Sequence, residues 1–475
     1  MKKKLLFLAI IITNYCSAQY NKLYDFSGTI DGKNPFNALV SDGIFLFGTT
    51  SYGGVNDKGV LFKIKTDGTG YSKLLDFAND TVRGYYPQGS LFSDGLFLYG
   101  MTPSGGINDD GVLYKIKFDG TGYSKLLDFS SALYGKWPLG SLVSDGTFLY
   151  GMTGKGGIND TASGGDGVIF KIKPDGTGYT KLLDFAGIAN GSRPEGSLFL
   201  DGNYLYGMAG FGGINSSVNE GDGVIFKIKT DGTGYSKLLD FAGASNGNTP
   251  NGDLVFDGTY LYGMTGLGGT NNTGNIFKIK PDGTGFLKLL DFTGAPDGYF
   301  PNGSLILVGS LLYGMTFYGG TSTSCSNGCG IIFKIATDGT GYSKLLDFTN
   351  FATGRNPNGT LISDGNFLYG VTNGGGLNDM GTIFKIGLTT GLTENNQSNA
   401  ISICPNPSYG IFQISSDKFN ISNLKINNIL GEDIYESKID NFKSEIDLSN
   451  RPNGIYFINV KTDQGVLFKK LIINK

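Results

Sequence analysis

The chain repeats one sequence unit seven times between Tyr20 and Ile386, and this repetition constrains its fold more than any other feature. Each unit carries an L-L-D-F or L-Y-D-F segment, and its final Phe recurs every 51 to 56 residues. These Phe residues are Phe26, Phe77, Phe129, Phe185, Phe241, Phe292 and Phe348. Repeats of this length indicate a solenoid or a propeller built from equivalent modules.

Each unit contains four short segments with the composition of β-strands, separated by Gly and Asp. In the second copy they are Ser90–Ser93, Phe97–Thr102, Gly111–Ile116 and Tyr123–Phe129. Tight Asp-Gly and D-G-T-G turns join strand one to strand two and strand three to strand four, while the other two connections are long. Four antiparallel strands per unit, repeated seven times, predict an all-β fold, namely a seven-bladed β-propeller.

The two ends of the repeat region are complementary. The seventh unit stops at Ile386 without a fourth strand, and the chain begins with a spare fourth strand at Tyr20–Phe26. We expect this N-terminal strand to complete the last blade, which would leave the ring without a free edge. The alternative is an open solenoid, which needs capping repeats that the sequence does not show.

Composition excludes several kinds of chemistry. The 475 residues include 78 Gly and no His, so the chain cannot form a Ser-His-Asp triad, a Cys-His pair or a His general base. The formal net charge is −3, which does not favour a nucleic-acid partner.

The N-terminus is typical of a secretory signal peptide. Lys2, Lys3 and Lys4 precede an apolar segment that is too short to span a membrane, and Cys16-Ser17-Ala18 suits cleavage before Gln19. A lipoprotein signal that uses Cys16 is the alternative, but the residues before it fit that motif poorly. In an exported chain, the closely spaced Cys325 and Cys329 predict a small loop disulfide.

The last 75 residues contain less Gly and alternate in short runs, which predicts a small antiparallel β-sandwich. P-N-P from Pro405, an L-G turn, D-L-S followed by G-I-Y, and the terminal Lys475 resemble the C-terminal sorting domain of the type IX secretion system of Bacteroidetes. Cys404 departs from that pattern, where an aromatic residue is usual. The resemblance implies passage across the outer membrane, followed by release or attachment to the cell surface, with the type IX machinery as partner.

The repeated units resemble a bacterial tandem-repeat family called GloVer, through their L-x-x-F, L-Y-G-x-T-x-x-G-G and G-x-I-F-K-I segments. That resemblance implies a propeller and no particular activity. We divide the chain into a signal peptide (1–18), the seven-repeat propeller (19–388), a linker (389–402) and the sorting domain (403–475). No transmembrane segment is expected after the signal is removed.

Both long connections of a four-stranded blade lie on one face, and variable loops on a rigid scaffold are where binding sites usually form. Aromatic and Arg residues are frequent in these loops, next to the Pro and the Gly-Gly that recur from repeat to repeat. The predicted ligand-binding residues are Trp137, Tyr85, Tyr86, Tyr299, Phe300, Tyr52, Phe211, Tyr318, Arg83, Arg193 and Arg355. Each of them, taken singly, is also compatible with packing between blades.

Acidic residues give weaker signals. Asp residues in the tight turns, and in L-L-D-F, are explained by structure, the latter as a bond between blades. Calcium binding by the N-D…G-D-G loops is possible, and no other cofactor is expected. A hydrolase or lyase that uses two carboxylates needs no His. Its candidate residues are Glu195, Asp253, Asp297, Asp166 and Glu220, although no acidic pair stands out from the repeat pattern.

These observations favour a non-catalytic binding protein, secreted or held at the cell surface, whose long loops engage a glycan or a protein. A carboxylate-dependent polysaccharide hydrolase or lyase is the first alternative, and a structural spacer of the cell surface is the second.

Overall fold

A computed structural model describes residues 20–158, 165–214, 221–388, 401–405, 408–416, 421–428, 432–441, 443–462 and 465–473. The signal peptide and most of the linker therefore lie outside the described residues. The chain divides into two compact units, residues 1–388 and residues 389–475.

The described part of the first unit forms seven antiparallel sheets, one for each repeat. We number the repeats 1 to 7 by their first strand. The strands of repeats 1 to 3 are β2 (Lys33–Pro35), β3 (Val40–Ser41), β4 (Phe45–Tyr52), β5 (Val60–Lys65), β6 (Ser72–Asp76); β7 (Phe92–Ser93), β8 (Phe97–Thr102), β9 (Val112–Lys117), β10 (Ser124–Asp128); and β11 (Val143–Ser144), β12 (Leu149–Thr153), β13 (Val168–Ile172), β14 (Thr180–Asp184). A four-residue helix, α1 (Ser131–Tyr134), precedes β11.

Repeats 4 to 7 follow the same plan. Their strands are β15 (Phe199–Asp201), β16 (Tyr204–Ala209), β17 (Val224–Lys229), β18 (Ser236–Asp240); β19 (Val255–Phe256), β20 (Leu261–Thr265), β21 (Asn275–Ile279), β22 (Leu287–Asp291); β23 (Ile306–Val308), β24 (Leu311–Thr316), β25 (Ile331–Ala336), β26 (Ser343–Asp347); and β27 (Arg355–Ser363), β28 (Phe367–Gly374), β29 (Thr382–Gly387). The fourth strand of the last sheet is β1 (Tyr20–Asp25), which pairs antiparallel with β29. The result is an all-β, propeller-like series of four-stranded sheets, with a fifth short strand in repeat 1.

The sequence of each repeat explains how its sheet is built. In β12, Gly151 pairs with Phe170 of β13, and a Cβ placed on Gly151 would lie 2.7 Å from the Phe170 ring. The small residue in strand two therefore makes room for the large residue in strand three. In the turn before strand two, Asp145 accepts hydrogen bonds from the amides of Thr147 and Phe148, as expected for a turn aspartate.

Strand one of repeat 2 is shorter than the sequence predicts. The predicted segment Ser90–Ser93 contributes only Phe92 and Ser93 to the sheet of repeat 2. Its first residue faces a neighbouring repeat instead, where the Ser90 hydroxyl accepts a hydrogen bond from the Ala38 amide. The start of strand one thus belongs to the junction between repeats rather than to the sheet.

Successive sheets pack through apolar side chains. Phe129 and Met101 of repeat 2 share a core with Phe170 and Ile172 of repeat 3, and equivalent cores join each later pair of repeats. A core of the same kind contains Tyr369 and Ile383 of repeat 7 together with residues of repeat 1.

The second unit contains two antiparallel sheets around one apolar core that includes Phe412, Ile426 and Ile458. One sheet has the order β30 (Ile401–Cys404), β31 (Ile411–Ser416), β34 (Lys443–Asp447). The other has the order β33 (Asp433–Asn441), β32 (Ile421–Asn427), β35 (Gly454–Thr462), β36 (Gly465–Ile473).

Candidate binding site

The two long connections of each repeat meet at one edge of its sheet. Isolated β-bridges join the residue two before the Pro of one loop to the residue before the Gly-Gly of the other. The pairs include Tyr85 with Ser104, Lys136 with Lys155, Ser192 with Phe211, and Tyr299 with Tyr318. We call this edge of the repeat region the loop face. Ten of the eleven predicted ligand-binding residues lie at these paired positions or directly before the Pro.

The residue directly before the Pro has an unusual backbone in every repeat. All seven have positive φ, from 51° to 63°, although Pro normally drives its predecessor to an extended conformation. They are Asn34, Tyr86, Trp137, Arg193, Thr249, Phe300 and Asn356. Bulky aromatic residues rarely adopt this left-handed region, because it brings the Cβ close to the following carbonyl.

A hydrogen bond to the preceding repeat holds each of these residues in place. The amides of Tyr86, Trp137 and Phe300, for example, donate to the carbonyls of Lys58, Asp110 and Thr273. The bond uses only main-chain atoms, so the side chain is free to differ between repeats. The seven positions therefore share one backbone and carry four kinds of side chain: amide, aromatic, basic and hydroxyl.

The residues that follow the Pro surround a cavity of about 130 Å³, which all seven repeats help to line. Its wall is the segment P-x-G-S, which reads P-F-N-A in repeat 1, P-N-G-D in repeat 5 and P-N-G-T in repeat 7. The Gly residues pack main chain against main chain from one repeat to the next, and a Cβ on Gly359 of repeat 7 would lie 2.7 Å from the main chain of Asn37 in repeat 1. A side chain at Gly359 would therefore push these two repeats apart.

Two sets of hydrogen bonds run along the cavity wall. In one, the Ser141 amide donates to the Ser197 hydroxyl and the Asp253 amide donates to the Ser304 hydroxyl. In the other, the side-chain amide of Asn251 donates to Asn302. Asn302 donates in turn to Asn358, with both distances 3.2 Å. The cavity is thus lined mainly by hydroxyls, amides and main-chain carbonyls.

Two carboxyl groups line the same cavity. Burial raises the pKa of Asp253, although hydrogen bonds from Ser197 and Ser304 act in the opposite direction. Burial also raises the pKa of Glu195, against the opposing charges of Arg193 and Lys155. Asp253 occupies the Ser position of its repeat and accepts a hydrogen bond from the Ser197 amide, so it replaces a serine in the wall.

One aromatic cluster on the loop face lies between repeats 1 and 2. The ring of Tyr86 is 4.7 Å from that of Tyr52 and 4.8 Å from that of Tyr85. The Lys58 ammonium lies 4.5 Å from the centre of the Tyr86 ring and donates a hydrogen bond to its hydroxyl. Burial and a hydrogen bond to Asp109 raise the pKa of Tyr85.

A second cluster lies on repeat 6. Tyr299 and Tyr318 stack with their rings 5.3 Å apart, and Phe300 lies 6.1 Å from Tyr318. Phe317, which the sequence analysis did not single out, packs edge-on against Tyr318 at 4.8 Å. Its position, two residues before the Gly-Gly, is usually filled by smaller residues in the other repeats.

On repeats 3 and 4, basic side chains cover single aromatic rings. The Lys155 ammonium lies 4.0 Å from the centre of the Trp137 ring, and the Arg193 guanidinium lies 5.1 Å from that of Phe211. Such cation–π pairs keep both partners ordered at a half-exposed surface.

The other two predicted Arg residues are held by carboxylates. Arg355 bonds Asp379 through two nitrogens, at 2.9 and 3.0 Å, and this pairing lowers the pKa of Asp379. Arg83 pairs with Asp80 at 2.9 Å, also bonds the Asp76 carbonyl, and lies outside the paired positions. Of the eleven predicted residues, only Arg83 lies outside the positions where the two long loops meet, and its side chain stabilises its own loop.

The acidic candidates fall into two groups: those that line the cavity and those that do not. Glu195 and Asp253 line the cavity, whereas Asp297 caps its own loop by accepting hydrogen bonds from the amide and hydroxyl of Thr293. Asp297 is therefore not among the residues that line the cavity. The Asp166 carbonyl accepts the Arg193 amide, and Glu220 lies outside the described residues.

The prediction that the L-L-D-F aspartate bonds a neighbouring blade is also wrong. Asp76 accepts a hydrogen bond from the Val55 amide and pairs with Lys73, and both partners belong to its own repeat. The bond between repeats comes from the Lys of strand three. Lys115, for example, donates to the carbonyl of Pro174 in the next repeat at 2.9 Å.

Cys325 and Cys329 form a disulfide with their Cα atoms 5.3 Å apart, beside Tyr299 on the loop face. Within the described residues, no group of three His, Cys, Asp or Glu side chains is placed to hold a metal ion. Calcium binding stays a prediction, because parts of the loops in question, 159–164 and 215–220, are not described. No helix among the described residues has the length and apolar character needed to cross a bilayer.

The fold and the loop face define a class: a repeat-built, propeller-like scaffold whose long loops meet at one edge, followed by a second β unit. The repeat region matches the Gloeobacter/Verrucomicrobia repeat over residues 10–218 and 159–324. The chain therefore belongs to the Gloeobacter/Verrucomicrobia repeat family. Residues 402–474 match the secretion system C-terminal sorting domain, which makes this a secreted or outer-membrane-attached cell-surface protein handled by the type IX secretion machinery.

Similarity to individual proteins is more limited. Over 88 residues, 18% of this chain, it is 32% identical to ulvan lyase NLR42 of Nonlabens ulvanivorans, and the match spans only 16% of that protein. A puromycin-hydrolyzing peptidase of Mycobacterium tuberculosis is similar in structure, with a TM-score of 0.50, 12% identity and coverage of 94% of this chain. PorZ, a type IX secretion surface component of Porphyromonas gingivalis, has a TM-score of 0.48, 14% identity and coverage of 95%. This chain spans 61% of each of those two structures.

Proposed function

We propose that this protein is a non-catalytic, secreted or cell-surface binding protein whose loop face engages a glycan. One observation carries the proposal: seven positions with the same left-handed backbone bear different side chains, and the residues that follow the next Pro in each repeat line a polar cavity. Strained backbone that the structure maintains in every repeat is typical of functional surfaces. A protein ligand is the other class that such a surface suits.

We further propose that the repeats close into a seven-bladed propeller completed by the N-terminal strand, and that the domain boundaries are those predicted from the sequence. The pairing of β1 with β29 supports closure, as does the apolar core shared by repeats 7 and 1. The contact between Gly359 and Asn37 extends the same support to the cavity wall. A closed ring would hold the seven loop positions at fixed distances from one another.

The chemistry of the loop face favours a glycan. Half-buried aromatic rings offer flat apolar surfaces to sugar rings, and the neighbouring Lys, Asn and carboxyl groups offer hydrogen bonds to hydroxyls. Trp137 beside Lys155, and Phe300 beside Tyr318, each combine these two features.

A carboxylate-dependent hydrolase or lyase is the second candidate, because Glu195 and Asp253 line one cavity and burial raises the pKa of both. Against it, Asp253 is occupied by hydrogen bonds from the cavity wall, as the serines at its position are. A structural spacer is the third candidate and would bind no soluble ligand.

The test is a glycan and polysaccharide binding screen of the full chain, repeated with calcium and with a chelator. We expect binding that Trp137→Ala or Phe300→Ala abolishes and that Phe351→Ala leaves unchanged. Phe351 is the matched control, since it is a 64% exposed aromatic residue that contacts neither cluster. Absence of binding to every glycan would refute the glycan proposal, and release of products would favour the hydrolase instead.

A further inference from the structure

The cavity wall contains two hydrogen-bond acceptors without donors. Among the described residues, no side chain or amide donates a hydrogen bond to the Glu195 carboxyl group, and Asn251 Oδ1 is buried without a partner. Buried polar atoms are nearly always paired, so the Asn251 oxygen calls for an explanation. Glu195 is half-buried, and its carboxyl group lines the cavity without a donor from the described residues. Both acceptors belong to adjoining repeats, 4 and 5, at the same position of the P-x-G-S segment.

The contacts of Asn251 show which way its unpaired oxygen faces. The Asn251 side chain uses its amide nitrogen to reach Asn302 of repeat 6, so its oxygen is left on the side of repeat 4. A Cβ on Gly210 of repeat 4 would lie 2.8 Å from that oxygen. Glu195 is the residue of repeat 4 that corresponds to Asn251. An ionised Glu195 can only accept hydrogen bonds, and so can the Asn251 oxygen, so neither group can satisfy the other. A donor for them would have to come from a ligand or from water.

We propose, building on the glycan-binding function, that this cavity takes the terminal sugar residue of a neutral glycan, whose hydroxyls donate to Glu195 and Asn251. Sugar hydroxyls both donate and accept, so they can also accept from the unpaired Asn37 amide across the cavity. A bound cation is a poorer fit, because Arg193 and Lys155 already place positive charge next to Glu195.

The size and enclosure of the cavity explain why the residue is terminal. A space of about 130 Å³ accommodates little more than one sugar ring, and residues of all seven repeats surround it. A polysaccharide lying across the loop face cannot enter sideways, so one end must point inward. Lys155 links this cavity to the loop face, since it lies over the Trp137 ring and also acts on Glu195.

The test is calorimetric titration of the full chain with malto-, cello-, manno- and xylo-oligosaccharides of two to six residues. Binding through a chain end predicts an affinity per chain that is independent of length, with competition from the free monosaccharide. Glu195→Gln and Asn251→Ala should each weaken binding about tenfold, which corresponds to one hydrogen bond to a charged or buried group. Asp201→Asn is the charge-matched control, because Asp201 is an exposed carboxylate outside the cavity.

The outcomes separate this inference from the function on which it rests. Affinity that rises steadily with length, or that ignores Glu195→Gln while Trp137→Ala abolishes it, overturns the cavity assignment and leaves glycan binding intact. Calcium binding without sugar, lost in Glu195→Gln, also overturns it. If none of the four series binds, the assignment to neutral glycans is wrong, and binding of other glycans in the broader screen decides the wider function.

Discussion

Lys385, in the last strand of repeat 7, donates a hydrogen bond of 3.2 Å to the carbonyl of Thr66, which follows β5 in repeat 1. The same bond joins successive repeats elsewhere, as between Lys63 and Phe118 or Lys278 and Thr337. Repeats 7 and 1, which are farthest apart in the sequence, therefore meet through the contact that joins neighbours.

The N-terminal strand is expected to contribute as much to the free energy of unfolding as a strand from the middle of the repeat region. Phe26 and Phe241 are both fully buried at the same position of the L-L-D-F segment, and each packs edge-on against a Phe of strand three. Phe26→Ala and Phe241→Ala should each lower the free energy of unfolding by about 3–5 kcal/mol. Denaturant titration followed by the fluorescence of Trp137, the single Trp, measures this loss in the repeat region alone. A much smaller loss for Phe26→Ala would contradict closure by this strand.

The left-handed backbone at Trp137 predicts a conflict between stability and binding. Gly adopts φ near 63° without the steric cost that a Cβ brings, so Trp137→Gly should be about 1 kcal/mol more stable than Trp137→Ala. Both variants should lose glycan binding equally, because each removes the ring. Calorimetric unfolding of the two proteins checks the difference. Equal stability would show that the backbone at this position carries no strain.

Asp253 is expected to destabilise the fold at neutral pH. Burial raises its pKa in the folded protein, so the ionised form is disfavoured there, and the cost is present above this raised pKa and absent below the ordinary value. Asp253→Ser restores the residue found in repeats 2, 3, 4 and 6, which can still accept the Ser197 amide. We expect this variant to be more stable than the parent at pH 7, with the gain shrinking as the pH falls from the raised pKa toward the ordinary value of about 4 and absent below it. A gain that is constant with pH would point to packing instead, and Asp201→Asn serves as the control.

Ligand binding in the cavity should weaken in acid. In the proposed complex the ionised Glu195 carboxylate accepts hydrogen bonds from the ligand, and burial raises the pKa of this group above its ordinary value. Affinity is therefore expected to fall as the pH drops through this raised pKa, and to be full above it. Glu195→Gln should show weak binding that does not change across the same range. A parent protein with constant affinity between pH 4 and 8 would exclude a role for this carboxylate.

The disulfide should stabilise the loop that carries it only modestly. Cys325 and Cys329 close a five-residue loop, for which the loss of chain entropy in the unfolded state corresponds to about 2 kcal/mol. Reduction should lower the unfolding free energy by this amount and leave the other repeats intact. The double variant Cys325→Ser, Cys329→Ser should be insensitive to the reductant. A reduced protein that loses all binding would instead place the disulfide within the binding site, beside Tyr299.

Much of this architecture follows from the repetition itself. The alternation of strand-like segments and Gly-rich turns predicts the four strands of each sheet, and the split between Tyr20–Phe26 and Ile386 predicts which strand completes the last one. Contacts between repeats are harder to predict, because they depend on how far apart the sheets stand. Asp76 illustrates this: its recurrence is evident in the sequence, but its partner, the Val55 amide, is identified only by the structure.

The candidate site is also only partly predictable from the sequence. Composition points to Trp137, Tyr86 and Phe300 because they interrupt the repeat, yet the ordinary effect of Pro predicts an extended backbone there rather than a left-handed one. The cavity is not evident from the sequence, although Glu195 and Asn251 vary at one position of an otherwise regular P-x-G-S segment. Sequence reasoning selects Glu195 only as an acidic candidate and does not connect it with Asn251 at the same position of the next repeat.

The hydrogen bond that holds the residue before each Pro has a consequence for how such proteins diversify. Because the bond is made by main-chain atoms alone, replacing Thr249 with another residue leaves that bond in place, whereas Asn34 also donates from its side chain to the Asn373 carbonyl. Under the proposed function, the main-chain atoms that anchor each loop are distinct from the side chains that would contact a ligand. Point substitutions at these seven positions could then change the ligand without an insertion and without loss of the main-chain anchor.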